Sequence, residues 1–342
     1  MRLPAALGRS RKGYTQPMAA VSEPVAQGPR IVDLRNLGPR ELDVLLLEET
    51  VEWQERLDWD FAPSADLIRQ FMATRALNGC ALVDRGEVIG YAYTVLEDRK
   101  GLIGDLYVRS GWRGPDTELQ LFRVLLNGLG ATSVVHRIES QLMLVEPATA
   151  LALRHERPAV KVYERLLMKL DATAAQAMPQ RQDAGRFHIE RWADHLHESA
   201  ASAIALAYNG HIDSQINDQY RSLAGARRFL YNIVQFPGCG IFYKPGSFIA
   251  FDTRTGWVAG IVLVSFVSAD VGHITQLCVT PQVKGAGLGY ELLRQAILAL
   301  QARGARRISL TVTAGNSEAI HLYQRCGFGE VRRFFAYVWD RG

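Results

Sequence analysis

The sequence predicts a mixed α/β fold, largely antiparallel sheets flanked by helices, used twice in tandem. Three observations lead there. Residues 31–171 read as β-α-α-β-β-β-α-β-α-β, and the same order recurs in residues 187–342. The copies superpose through Gly90 and Gly260, which lays Asp105-Leu-Tyr-Val108 on Gln276-Leu-Cys-Val279. The separations from glycine to strand, 90 to 105 and 260 to 276, differ by one residue. An internal duplication accounts for all three.

At 342 residues the chain is long enough for two domains, and 48% apolar with 22% charged residues is the balance of an ordinary globular protein. The net charge of +4 resides in the first thirty residues, where Arg2, Arg9, Arg11, Lys12 and Arg30 face Glu23 alone. The remainder carries 34 basic and 34 acidic side chains, so charge gives no support to nucleic-acid binding. Residues 1–30 lack a periodic apolar pattern and read as a disordered tail. Without an apolar run of eighteen residues or a signal-type core, no membrane association is expected. Cys80, Cys239, Cys278 and Cys326 are widely spaced, as expected of reduced thiols in a cytoplasmic protein without a structural metal.

In the first copy, a strand from Ile31 leads into a helix with Leu42, Leu45 and Leu46 on one face. A second helix opens at Ser64-Ala-Asp66. Cys80–Val83, a turn at Asp84-Arg-Gly86 and Val88–Leu96 form a hairpin, followed by the strand Leu102–Val108. The helix Glu118–Leu129, a strand Val134–Leu142, a helix from Ala148 and a strand Tyr163–Leu170 complete it. The polar stretch 172–186 reads as the linker between domains 31–171 and 187–342. The second copy opens with a helix from an Asp194 cap to Tyr208 and continues with a helix from Gln219 to Phe229. Then come the hairpin Ser247–Phe251 with Val258–Val267, the strand His273–Thr280, a helix Leu288–Ala302, the strand Ile308–Thr313, a helix from Ser317 and the strand Val331–Trp339.

Between strand and helix lies Gln282-Val-Lys284-Gly285-Ala286-Gly287-Leu288-Gly289. A glycine-rich corner at a helix N-terminus is an anion site, because unpaired N–H groups and the helix dipole point outward. No Gly-Lys-Ser/Thr ends it, which excludes a Walker loop. Tyr290 replaces the third glycine of a dinucleotide fingerprint, and no acid follows the next strand. Gln282, Gly285 and Gly287 instead fit Gln/Arg-x-x-Gly-x-Gly/Ala, and Asn316-Ser-Glu-Ala319-Ile-His-Leu322-Tyr323…Gly327-Phe328 follows at a suitable distance. Together they resemble the GCN5-related N-acetyltransferases (GNAT), as motifs over about residues 247–330 and as a fold over both copies.

The resemblance implies acetyl-CoA as acyl donor. Leu277, Cys278 and Val279 would pair with the pantetheine arm, Lys284–Gly289 would hold the pyrophosphate, and Asn316 would cap a helix and face the cofactor. It also implies that Tyr323 protonates the departing thiolate. Many relatives carry a glutamate where this chain has Gln276, which cannot act as a base. His273 is the nearest titratable residue, although regular alternation turns it to the opposite face. The polar cluster Tyr208–Tyr220 offers His211 and Asp213 to orient an acceptor or supply the base. Cys278 as an acyl carrier competes with a buried small apolar role. In the first copy Gly111-Trp-Arg113-Gly114-Pro-Asp116 replaces the loop, Pro147 and Arg154 replace Asn316 and Tyr323, and poor cofactor binding is expected. The expectation is an N-acetyltransferase acting on a small-molecule amine through its second domain. A protein or peptide N-acetyltransferase and a non-catalytic acyl-CoA sensor stay open.

Overall fold

The computed structural model describes residues 28–172, 178–180, 185–236 and 238–341. The predicted tail, up to residue 27, and most of the predicted linker lie outside these residues. In chain order the first half contains β1 (Arg30–Asp33), α1 (Pro39–Leu57), α2 (Ala62–Ala73), β2 (Asn78–Asp84), β3 (Glu87–Glu97), β4 (Lys100–Val108), α3 (Pro115–Ala131), β5 (Arg137–Leu142), α4 (Pro147–Glu156) and β6 (Lys161–Asp171). The second half contains β7 (Phe187–Arg191), α5 (His197–Ala207), α6 (Asp213–Ile216), α7 (Leu223–Gln235), β8 (Ile241–Phe242) and β9 (Phe248–Asp252). It continues with β10 (Val258–Ser268), β11 (Val271–Val279), α8 (Leu288–Ala302), β12 (Arg307–Thr313), α9 (Ser317–Arg325) and β13 (Gly329–Asp340).

The halves do not keep separate sheets. One sheet runs β1-β2-β3-β4-β5-β13-β6-β12-β11-β10-β9-β7, with β8 attached to β10. Only β4–β5 and β11–β12 are parallel; the other pairs are antiparallel. The last strand of each half is exchanged. β6 pairs with β12 from Thr313↔Arg165 to Arg307↔Asp171, while β13 pairs with β5 from Phe335↔Leu142 to Asp340↔Arg137. The two exchanged strands pair with each other at the centre.

Burial of side chains on the exchanged strands anchors this arrangement. Leu166, Met168 and Leu170 of β6 enter the second-half core with Ile308, Leu310, Leu292 and Ile297, whereas Leu167 enters the core under α1 and α2. Tyr337 of β13 packs in the first-half core, its ring 5.0 Å from Phe122. Each fully buried Leu or Ile contributes about 1.5–3 kcal/mol, so the contribution of β6 is divided between two cores. Polar contacts reinforce the join. Asp58 binds Lys169 at 2.6 Å and Arg307 at 2.5 Å, and Lys100 binds Asp218 at 2.6 Å.

Local departures from expectation have local causes. Asp194 does not cap a helix; it sits in a 3-10 turn and pairs with Lys244, and α5 starts three residues later. The expected helix from Gln219 is broken at Ser222, whose hydroxyl accepts from Gly225 N–H and caps α7. The leading strand that the repeated order implies, not located in the sequence, is β7 at the sheet edge, paired with β9.

Co-expression of fragments 1–180 and 181–342 is expected to give a soluble one-to-one complex, and neither alone a folded monomer. Size-exclusion chromatography with light scattering measures this, and two independently folded monomers would contradict the exchanged sheet.

Candidate active site

β11 and β12 are hydrogen-bonded only from Val271↔Arg307 to Ile274↔Leu310. Beyond that point they splay. β11 keeps its partner β10 and β12 keeps β6, so the facing edges are open. The divergence begins at a bulge: β10 residues Leu263 and Val264 pair with Gln276 and Ile274, leaving Thr275 over. Thr280 N–H donates to Ala259 on β10, and alternation therefore turns the backbone groups of Leu277 and Val279 into the gap. Those of Cys278 face β10 instead, which corrects the expectation that it would pair with an arm in the gap. The gap opens into a cavity of about 550 Å³, lined by residues of β11, the glycine loop, β12, α9 and the 207–220 region. That volume suits a cofactor arm with a small acceptor.

At one end of the cavity the loop presents backbone donors. Gly285 (φ 78°) and Gly287 (φ 84°) occupy the left-handed region, where a Cβ is strained. Gly287 caps α8, and the N–H groups of Gly285, Gly287, Leu288 and Gly289 have no partner among the described residues. With the helix dipole they form an anion cradle, and exposed Lys284 adds a cation. Leu288 is buried and anchors the loop in the core. Gln282 and Ala286 do not line the cavity; Gln282 points to solvent and Ala286 packs against the core.

The opposite end is polar and aromatic. Tyr208 and Tyr220 stack at 4.1 Å, and both hydroxyls grip Gln276: its Nε2 donates to Tyr208 at 2.9 Å, and Tyr220 donates to its Oε1 at 3.3 Å. Gln276 is therefore a fixed wall amide. Asp213 accepts from the Thr313 hydroxyl and lies 3.7 Å from His211 Nδ1, which itself accepts from Asp213 N–H at 3.1 Å. His211 Nε2 faces Asn316 Nδ2 at 3.3 Å, while Asn316 Oδ1 caps α9 through Ala319 N–H. Tyr323 lies on α9 in the cavity wall, and its hydroxyl has no hydrogen-bond partner among the described residues. Burial raises its pKa, so the phenol keeps its proton at neutral pH. Gly327 (φ 91°) ends α9 and buried Phe328 packs 6.0 Å from Tyr323.

Two candidates lie elsewhere or are chemically quiet. His273 does not reach the cavity. It is buried against Trp59 of the first half (5.1 Å between rings), with Nδ1 2.9 Å from Ser309 Oγ, and burial lowers its pKa to about 4. Cys278 lines the cavity and belongs to the core cluster of α5 and α7, and burial pushes its thiol up to about 12, which removes thiolate at neutral pH. Sequence reasoning missed Arg165, which β6 brings into the cavity wall; no local pattern marks it, because strand exchange alone places it there. In the first half the same splay exists, β4 pairing with β5 only over Lys100–Ile103. There Arg113, at the position of Lys284, folds inward, donating to Val108 O at 2.9 Å and to Glu52 at 2.5 and 2.6 Å, and Tyr107 donates to Glu52 at 2.8 Å.

Residues 216–328 match the family model described as the acetyltransferase (GNAT) family. An uncharacterized N-acetyltransferase of Methanocaldococcus jannaschii is 34% identical over 92 residues, which is 27% of this chain and 38% of that one. A mycothiol acetyltransferase of Mycolicibacterium smegmatis is 36% identical over 92 residues, 26% of this chain and 31% of that one. The chain thus spans about a third of the length of these curated relatives. Over the whole molecule, a GCN5-related N-acetyltransferase of Sphaerobacter thermophilus superposes with a TM-score of 0.63 at 16% identity, covering 91% of this chain and 95% of that one. A tandem GNAT protein from the clavulanic acid biosynthesis pathway gives 0.58 at 15% identity, covering 92% and 99%. These two similarities establish the shared tandem fold.

The position of His273 sets a pH dependence. The unfolded imidazole takes up a proton near pH 6.5, whereas the folded one does so only near 4. Between these values the unfolded state binds more protons, so stability falls as pH drops from 6.5 to 4, by about 3 kcal/mol at about 1.4 kcal/mol per pKa unit. His273→Gln is expected to flatten that part of the stability curve, measured by urea unfolding at several pH values. An unchanged slope would contradict the neutral, buried histidine.

Proposed function

We propose that this chain, a tandem member of the GNAT superfamily, is an acetyl-CoA-dependent N-acetyltransferase whose second half transfers acetyl directly to a small-molecule amine. The observation that carries this reading is a single cavity joining the anion cradle Lys284–Gly289, the open edge of β11 and the unpaired Tyr323 hydroxyl. The cradle would take the pyrophosphate, while Leu277 and Val279 would pair with the amides of the arm. Leu277 N–H, nearest the bulge on the open edge, is the candidate donor to the thioester oxygen.

The amine must arrive neutral, attack the thioester carbon and lose a proton as the C–S bond breaks. His211 is the base candidate: it lines the cavity, and it can take a proton at Nε2 in the tautomer that carries its hydrogen on Nδ1, turned to Asp213 Oδ2 3.7 Å away in place of the bond from Asp213 N–H. Tyr323 supplies the proton to the departing sulfur. The inert Cys278 and the immobilised Gln276 favour direct transfer over an acyl-enzyme. A small acceptor is favoured because residues 215–218, at the acceptor end, are tied to the first half: Gln215 O accepts from Arg137 at 2.5 Å, Tyr163 donates to Gln215 Oε1 at 3.0 Å, and Asp218 binds Lys100. With its corresponding cation folded inward onto Glu52, the first half is assigned a structural role.

Tyr323→Phe is expected to lower kcat about a hundredfold while leaving acetyl-CoA affinity within threefold. Steady-state kinetics with calorimetry separates the two, and an unchanged kcat would remove the acid role. Gly287→Val places a side chain at φ 84° in the cradle and is expected to weaken acetyl-CoA binding at least tenfold. Equal affinity would move the phosphate site elsewhere.

A further inference from the structure

Arg165 stands opposite Thr313 on β12, and its side chain, 11% exposed, joins Tyr220, Asp213 and Tyr323 in the cavity wall. Its bonding is incomplete. One terminal nitrogen donates to Thr311 Oγ1 at 3.2 Å; the other is 3.9 Å from Asp213, beyond hydrogen-bond length; Nε is buried without a partner. The Asp213 oxygen nearest to the guanidinium, Oδ1, already accepts from the Thr313 hydroxyl. Arg113 and Arg137, whose side chains are as deeply buried, are differently placed. Arg113 reaches Glu52 at 2.5 and 2.6 Å, and Arg137 reaches Glu139 and Asp340 at 2.5 Å each. A guanidinium offers five donors in a plane, and leaving them unmade in a low-dielectric wall is costly.

The acyl donor does not call for this cation. Its phosphates belong at the glycine cradle with Lys284, and the arm threading the gap carries neutral amides. The cation lies instead among the residues of the acceptor end, beside an acidic group 3.9 Å away. A planar fork prefers a carboxylate, which it can bind through two parallel N–H···O bonds.

We propose that Arg165 binds a carboxylate of the acceptor, so that the acceptor is an amine bearing a carboxylate a few bonds from its nitrogen, of the amino-acid class. The inference rests on the transferase reading for the role of the amine. Asp213 then stands near the incoming ammonium and His211 takes its proton, while Arg165 holds the other end and fixes the nitrogen's approach. The first half thereby completes the second half's site through its exchanged strand.

The test uses the full chain with CoA present and measures binding by calorimetry. The probes are glycine, β-alanine, γ-aminobutyrate and the common α-amino acids, each paired with its carboxamide. For at least one pair the acid is expected to bind at least tenfold more tightly than the amide. Arg165→Gln is expected to bring acid and amide within threefold of each other, Arg165→Lys to keep part of the preference, and acetyl-CoA affinity to stay unchanged in both. Wild-type protein that prefers no acid over its amide overturns the proposal, as does an Arg165→Gln protein that keeps the preference. If Arg165→Gln fails to fold, the wild-type pairs and Arg165→Lys decide the matter. Failure of acetyl-CoA to bind wild-type protein would overturn the transferase reading instead, a separate result.

Discussion

The pairing of β6 with β12 on one edge and β13 on the other is the constraint on which the rest of the molecule depends. β12 must be held from outside if its inner edge is to stay open towards β11. A strand supplied by the first half does that over seven residue pairs, Arg307 to Thr313. The sheet is thereby continuous across the halves, and neither core is complete without the other half's last strand. The same strand delivers Arg165 to the cavity wall.

The two halves show what one corner does under different side chains. Both have a strand pair that diverges after four residue pairs. In the first, the cation after the strand turns inward, satisfies the Val108 carbonyl and forms a short ion pair with Glu52, aided by Tyr107. In the second, the corresponding cation is exposed Lys284, and glycines at positive φ leave backbone donors facing the cavity.

Much of this was legible in the sequence where the signal is local. The hairpins, the glycine corner and the Asn316–Tyr323 helix depend on turn residues, φ requirements and short spacings, and the structure brings the corner and that helix together around one cavity. The strand exchange was not legible, because β6 and β13 show the same alternation whichever edge they join. His273 could not be placed for a related reason: Trp59, which buries it, comes from the other half. Gln276 read as a missing base; its grip by Tyr208 and Tyr220 depends on how α5 and the 218–221 turn meet β11. Arg165 carried no signal at all, since its role exists only after the exchange.

The most direct measurement of the central claim is a crystal structure of the full chain with CoA. The account predicts pyrophosphate on the N–H groups of Gly285–Gly289, the arm between β11 and β12, and the sulfur within hydrogen-bond reach of the Tyr323 hydroxyl. CoA seated in the first half, or outside the gap between β11 and β12, would contradict it.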